Sequence, residues 1–152
     1  MKRAHKVLSA DAWNKSQAVD HVVLDAVERH RRRITLTGER GTVFLLDLPQ
    51  AAALRDGDGL LLDDGSVVRV AGKPEPLTEI SAATPRELAR IAWHLGNRHT
   101  EVQVVGEALR IRRDHVLEAM LRGLGARLTP LEAPFDPEQG AYHGHRYGAG
   151  DV

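Results

Sequence analysis

Two prolines in three residues, Pro74 and Pro76, divide this sequence near its middle. They favour extended backbone and stop a neighbouring sheet or helix from running through. The periodicity of the sequence also changes across them. The stretch Ala71-Gly72-Lys73-Pro74-Glu75-Pro76 therefore reads as a linker, with residues 1–72 as one domain, 73–76 as the connection and 77–133 as a second domain. A chain of 152 residues is long enough for one ordinary domain or two small ones.

Before the linker the period is that of β-structure. Arg33-Ile34-Thr35-Leu36-Thr37 alternates polar with apolar or β-branched residues, and Gly38-Glu39-Arg40-Gly41 follows as a turn. Thr42-Val43-Phe44-Leu45-Leu46-Asp47-Leu48 reads as a second strand, closed by Pro49. Gly59-Leu60-Leu61-Leu62 and Ser66-Val67-Val68-Arg69-Val70 flank Asp63-Asp64-Gly65, and an Asp-Gly step between apolar runs signals a hairpin. Asp56-Gly57-Asp58-Gly59 has the look of a calcium loop without its ligand spacing or closing Glu, so it reads as two adjacent turns. Short strands with frequent turns predict a small barrel or sandwich.

After the linker, Leu77-Thr78-Glu79-Ile80 is a short strand. Thr84-Pro85-Arg86-Glu87 is a helix start, with a Thr cap and Pro at the first helical position. Leu88, Ile91, Ala92 and Leu95 form one apolar stripe, and Gly96 is expected to supply the left-handed stop. Strands follow at Val102-Gln103-Val104-Val105 and Ala108-Leu109-Arg110-Ile111. Asp114 caps a second helix with the stripe Leu117, Met120, Leu121 and Leu124, stopped by Gly125, and Ala126-Arg127-Leu128-Thr129 supplies a last strand. The order βαββαβ predicts a ferredoxin-like domain. From residue 134 the prolines and glycines multiply and apolar residues thin out, so 134–152 reads as a flexible, histidine-containing tail. The expected class is α+β: a small all-β domain, a ferredoxin-like domain and a tail.

Composition narrows the chemistry. Lys and Arg number 21, against 21 Asp and Glu, which argues against bulk electrostatic binding to nucleic acid or an anionic membrane. Arg31-Arg32-Arg33 comes without stacking aromatics and reads as a charged strand edge. No apolar run approaches the roughly 20 residues of a bilayer span, and no signal-like apolar segment follows the basic N-terminus, so a soluble cytoplasmic protein is expected. Cysteine is absent, which removes disulfides, thiolate metal sites and Cys nucleophiles together. Any metal ligands must then be nitrogen and oxygen.

Eight histidines carry the remaining chemistry. His94 sits in the last turn of the first helix, where a packing or capping role competes with a ligand role. His99 lies beyond the helix end. His115 takes the first helical position after Asp114, where the helix N-terminus favours the neutral ring that metals require. His143 and His145 flank a glycine in the tail, either as remote ligands or as solvated side chains. His5, His21 and His30 carry no pattern and read as structural. These features alone define a possible histidine-based metal site.

Trp93-His94-Leu95-Gly96-Asn97-Arg98-His99 resembles the signature of the urease accessory protein E family, the nickel metallochaperones of urease maturation. Further matches lie in order along nearly the whole chain: Asp47-Leu48-Pro49, Leu54-Arg55-Asp56-Gly57-Asp58, Asp114-His115-Val116-Leu117 and the segment from Pro134 to Tyr142. The resemblance implies a peptide-binding-like N-terminal domain and a ferredoxin-like metal-binding and dimerisation domain. It further implies a homodimer with Ni(II) near its two-fold axis, and Zn(II) or Cu(II) as ions the same site would accept. His99 matches the family's principal ligand, His115 a secondary site, and His143 and His145 the flexible extra ligands. His94 matches the first signature histidine without being the main ligand. Many relatives carry a longer His-rich tail, so delivery at few sites is expected here rather than storage.

The implied protein is not an enzyme. Its expected partners are other urease accessory proteins and, through them, apo-urease, with no nucleic acid or membrane among them. Two other readings stay open. One is a metal-independent peptide-binding adaptor of the urease accessory complex, using an exposed sheet edge. The other is a metal-dependent hydrolase built on His94, His99 and Glu101, which would need a cleft and an activated water. The latter lacks a helical His-Glu-x-x-His, a nucleophile elbow or a phosphate loop.

Overall fold

The computed structural model describes residues 1–140. The chain divides into two compact units, Met1–Lys73 and Pro74–Val152. The first contains β1 (Lys2–Leu8), β2 (Ala18–Leu24), β3 (Arg33–Thr37), β4 (Val43–Asp47), β5 (Gly59–Leu62) and β6 (Val67–Gly72). They form one mixed sheet in the order β2-β6-β5-β1-β4-β3, curled as a half-barrel. The β1–β4 and β2–β6 pairs are parallel and the others antiparallel. The concave core draws Val22 and Leu24, Leu36, Phe44 and Leu46, Leu60 and Leu62, and Val68 and Val70 into one cluster.

The expected β5–β6 hairpin is present. Gly65 takes a φ of +88°, and the Asp64 carboxylate accepts the Ser66 N–H at 2.9 Å. The Asp56 and Asp58 carboxylates serve the local backbone, accepting the Gly72 and Arg55 N–H groups at 2.9 and 2.8 Å. Those bonds account for the acidic turns without a cation.

The second unit contains β7 (Glu75–Ser81), α1 (Pro85–Asn97), β8 (Gln103–Val105), β9 (Ala108–Arg112), α2 (His115–Gly123) and β10 (Arg127–Ala133). Glu75 and Pro76, placed in the connection by the sequence, are the first residues of β7. The sheet is antiparallel in the order β10-β7-β9-β8, and with βαββαβ succession this is the ferredoxin-like fold expected. Both helices press their stripes on one face. Ile91 and Leu95 of α1 and Leu121 of α2 join Ile80, Leu109 and Ile111 of the sheet in a single buried cluster. A part-buried polar bond ties this layer: the buried Thr78 donates through Oγ1 to Glu118 Oε2 at 2.9 Å.

The packed chain continues past Ala133. Phe135 is 1% exposed. The Asp136 N–H donates to Gln103 Oε1 at 3.2 Å, and Glu138 is bonded to β8 through both backbone and side chain. This segment thus runs from one edge of the sheet, β10, to the other, β8. The scarcity of apolar residues here conceals one side chain that is fully buried. His143 and His145 lie outside the described residues.

Candidate metal site

Thr84 starts α1 as expected, its hydroxyl oxygen accepting the Glu87 N–H at 3.1 Å. The helix does not stop at Gly96. It runs through that residue to Asn97, and the left-handed residue is His99, at φ +59°. Among the described residues His99 is the only non-glycine with positive φ. Two bonds close the turn around it: the His99 N–H donates to the Gly96 carbonyl at 2.9 Å and the Thr100 N–H to the Leu95 carbonyl at 3.0 Å. Together these satisfy the last carbonyls of the helix. A side chain in this conformation carries a steric cost that glycine escapes.

The imidazole of His99 is exposed. It lines a shallow pocket of about 260 Å³ with Arg98, Glu101, Arg112, Asp114 and Phe135 among its walls. Arg112 organises the floor. Its Nε donates to Glu75 Oε1 at 2.7 Å, its Nη1 donates to Glu101 Oε1 at 2.5 Å, and its Cζ lies 4.7 Å from the centre of the Phe135 ring. The bond to Glu75, with Glu101 adding to it, raises the pKa of this guanidinium against the opposing effect of burial. The lining carries both signs, with Arg98, Arg112 and Arg113 against Glu101 and Asp114.

Asp114 caps α2, its Oδ1 accepting the Val116 and Leu117 N–H groups at 2.9 and 3.1 Å. His115 is the first residue of the helix and is exposed, as its position predicts. It does not line the His99 pocket, although its neighbours Arg113 and Asp114 do. His94 is half-buried, and its ring meets Trp93 edge-on with centroids 5.1 Å apart. His99 and Glu101 share the pocket and His94 stands outside it, so the three residues of the hydrolase alternative are not assembled there. Among the described residues no group of three or more His, Asp or Glu side chains converges to hold a metal ion.

Arg112 and Phe135 are the parts of this site that sequence reasoning misses. Phe135 is one of only two phenylalanines in the chain, set between Pro134 and Pro137. A lone large aromatic in a proline-rich stretch was the available signal.

An all-β unit and a ferredoxin-like unit that presents an exposed imidazole at a helix stop define a two-domain α+β protein. Residues 2–72 match the N-terminal domain of the UreE urease accessory protein, and residues 75–151 match its C-terminal domain. The urease accessory protein UreE of Bradyrhizobium sp. (strain ORS 278) is 57% identical over 142 residues, covering 93% of this chain and 67% of that protein. UreE of Rhodopseudomonas palustris (strain HaA2) is 57% identical over 142 residues, covering 93% and 66%. UreE of Rhodobacter capsulatus is 46% identical over 142 residues, covering 93% and 87%. The chain belongs to the UreE urease accessory protein family, and it spans about two thirds of the length of the first two of these relatives. Among its described residues no helix is long and apolar enough to cross a membrane.

Proposed function

We propose that this chain is a cytoplasmic nickel metallochaperone: a non-enzymatic carrier that holds Ni(II) through histidine at a homodimer interface and passes it to the urease maturation complex. The observation that carries the reading is the placement of His99. Its imidazole is exposed beside a small pocket, and its backbone occupies a conformation that disfavours every side chain relative to glycine. A residue kept there against its steric cost is kept for what its side chain does.

Ni(II) is the cargo. Imidazole nitrogen suits Ni(II), Cu(II) and Zn(II), and intrinsic affinity ranks copper above nickel, so ligand type alone does not select nickel. A single imidazole is a poor chelator. Two copies of this chain related by a two-fold axis would bring two His99 rings to one ion, since such an interface is self-complementary. His115 is the proposed secondary ligand, and His143 and His145 the proposed donors that complete the shell and then let go. A site with few fixed donors is open to attack by a recipient's ligands, unlike a closed four-donor structural site. Other urease accessory proteins, and through them apo-urease, are the proposed recipients.

The test is a nickel titration by calorimetry of the wild type beside His99→Ala, with mass measured by light scattering on the same samples. About one tight ion per dimer, lost or greatly weakened in the variant while the dimer persists, supports the shared site. Binding untouched by the substitution places the metal elsewhere.

The peptide-binding adaptor reading keeps one observation of its own. β2 is an edge strand, paired only with β6, and it exposes Val19 and Val23. Its outer edge is met at His21, whose carbonyl accepts the Glu39 N–H at 2.9 Å, which leaves a partner strand room only to either side of that contact, at Val19 or Val23. Docking of this kind serves delivery as well as it serves an adaptor without metal.

A further inference from the structure

We propose that the N-terminal domain carries an oxyanion site, in which Arg40 and Arg69, with Lys15 and His21 at the rim, bind a carboxylate or phosphate group. The site is a pocket of about 380 Å³ beside β2 and β6, lined by Lys15, Ser16, Asp20, His21, Arg40 and Arg69 among others. Arg69 stands in β6 directly across from His21 of β2 and Gly59 of β5. Its Nε is buried and meets no acceptor. A buried donor without a partner in a native fold calls for one from outside the chain, an ion or a ligand.

The cations around it have no carboxylate bonded to them. Three other arginines of this domain, Arg3, Arg32 and Arg33, all reach Asp47. Arg40 and Arg69 form no ion pair among the described residues. Lys15 Nζ donates to the Ala10 carbonyl and lies 5.4 Å from the Trp13 ring centre, which holds it in place and leaves its charge unneutralised by that bond.

The single carboxylate in the lining is already spent. Asp20 accepts the backbone N–H groups of His21, Arg40 and Thr42 at 2.7, 2.9 and 3.0 Å. Three cationic side chains against one such carboxylate leave a net positive pocket. Guanidinium groups fit the planar, two-oxygen edge of carboxylate and phosphate.

Two sources share this chemistry: a free phosphate compound, and an acidic side chain of a partner segment laid near β2. The experiment is a titration of the full chain by ¹H–¹⁵N spectroscopy at fixed ionic strength. It follows the Arg Nε–H signals and the Ser16 and His21 amides while inorganic phosphate or acetate replaces chloride. Saturable shifts confined to these groups are expected, with affinity at least tenfold weaker in Arg69→Gln and in Arg40→Gln. An unchanged amide spectrum elsewhere certifies the fold of each variant. Should Arg69→Gln fail to fold, the exposed Arg40 carries the test alone. Tighter binding of phosphate points to the free compound, and acetate binding as tight or tighter points to the acidic side chain. Absence of saturation with both probes, or saturation unaltered in the variants, overturns the site.

Discussion

His99 stands after α1 where Gly125 stands after α2. Both have positive φ, +59° and +85°. Both donate their N–H to the carbonyl three residues back, at 2.9 and 3.0 Å, and in each case the next residue's N–H returns to the carbonyl five residues back, at 3.0 Å. The two helices thus end in the same way, one on the residue that pays nothing for this conformation and one on a histidine.

His99→Gly should accordingly stabilise the C-terminal domain, by about 0.5–1 kcal/mol, since relief of the left-handed penalty exceeds glycine's extra unfolded-state entropy. His99→Val should destabilise it, because a β-branched residue fits this region worse than histidine. Urea denaturation followed through Trp93 fluorescence, in a Trp13→Phe background, separates the two. A His99→Gly protein that is less stable than wild type would mean the imidazole makes contacts that outweigh its backbone strain.

Phe135→Ala should cost about 3–5 kcal/mol, the range for emptying a fully buried phenylalanine site. It should also leave the Arg112 guanidinium without its ring contact, and so alter the pocket beside His99. Hydrogen exchange at the amides of Asp136 and Glu138 should speed up by more than exchange in the helices. A loss within about 0.5 kcal/mol, the scale of an ordinary surface substitution, would show that residues 134–138 are not anchored by this ring.

Asp20 gives the N-terminal domain a pH dependence. Burial opposes its ionisation, and the N–H groups of Arg40, Thr42 and His21 outweigh burial, lowering its pKa to about 2. A carboxyl depressed in the folded state contributes stability that is complete above its unfolded pKa of about 3.9. That contribution is lost as pH falls from about 4 towards the folded value of about 2. Asp20→Asn should therefore be less stable than wild type at pH 7, with the gap narrowing by pH 2–3. A gap of constant size across that range would assign the effect to packing.

Nickel affinity should weaken on acidification through about pH 6.5, where imidazole ligands begin to lose the competition with protons. Deleting residues 141–152 should lower the stoichiometry or the affinity without changing the mass of the proposed dimer. Calorimetry from pH 8 to pH 5 checks both on the same material. Binding that stays flat across this range would assign the ion to carboxylates, and unchanged binding after the deletion would remove His143 and His145 from the mechanism.

What the sequence disclosed, and what it hid, follows from where side chains point. The β3, β4, β5 and β6 strands and both helices were legible because their apolar residues recur at the period of the element. The first two strands broke that rule. In β1 only Ala4 is buried, among Lys2, Arg3, His5 and Lys6, so no apolar face announces the strand. In β2 the alternation is partly inverted, with Asp20 inside beside Val22 and Leu24 while Val19 and Val23 face out. The buried aspartate is possible because Gly38 has no side chain: a Cβ there would lie 2.2 Å from Asp20 Oδ2. At the site, His115 sits where its cap predicts. The stop of α1 was misplaced at Gly96 because glycine is the usual left-handed residue, and nothing local marks a histidine as taking its place.

The two terminal strands of the N-terminal sheet are chemically unlike. Along β3, Arg33 joins Arg3 and Arg32 around Asp47 at 3.2, 3.2 and 3.9 Å, which sets a knot of guanidinium groups beside the strand. Exposed pairs of this kind add little stability. Val19 and Val23 of β2 are exposed and uncharged, and between them the His21 carbonyl accepts the Glu39 N–H at 2.9 Å, which brings the β3–β4 turn onto this strand. The curled sheet is thus bridged at its ends by its own chain: the β3–β4 turn that reaches His21 also gives the Arg40 and Thr42 N–H groups to Asp20, so the strand that opens the sheet order and the strand that closes it are tied through one turn.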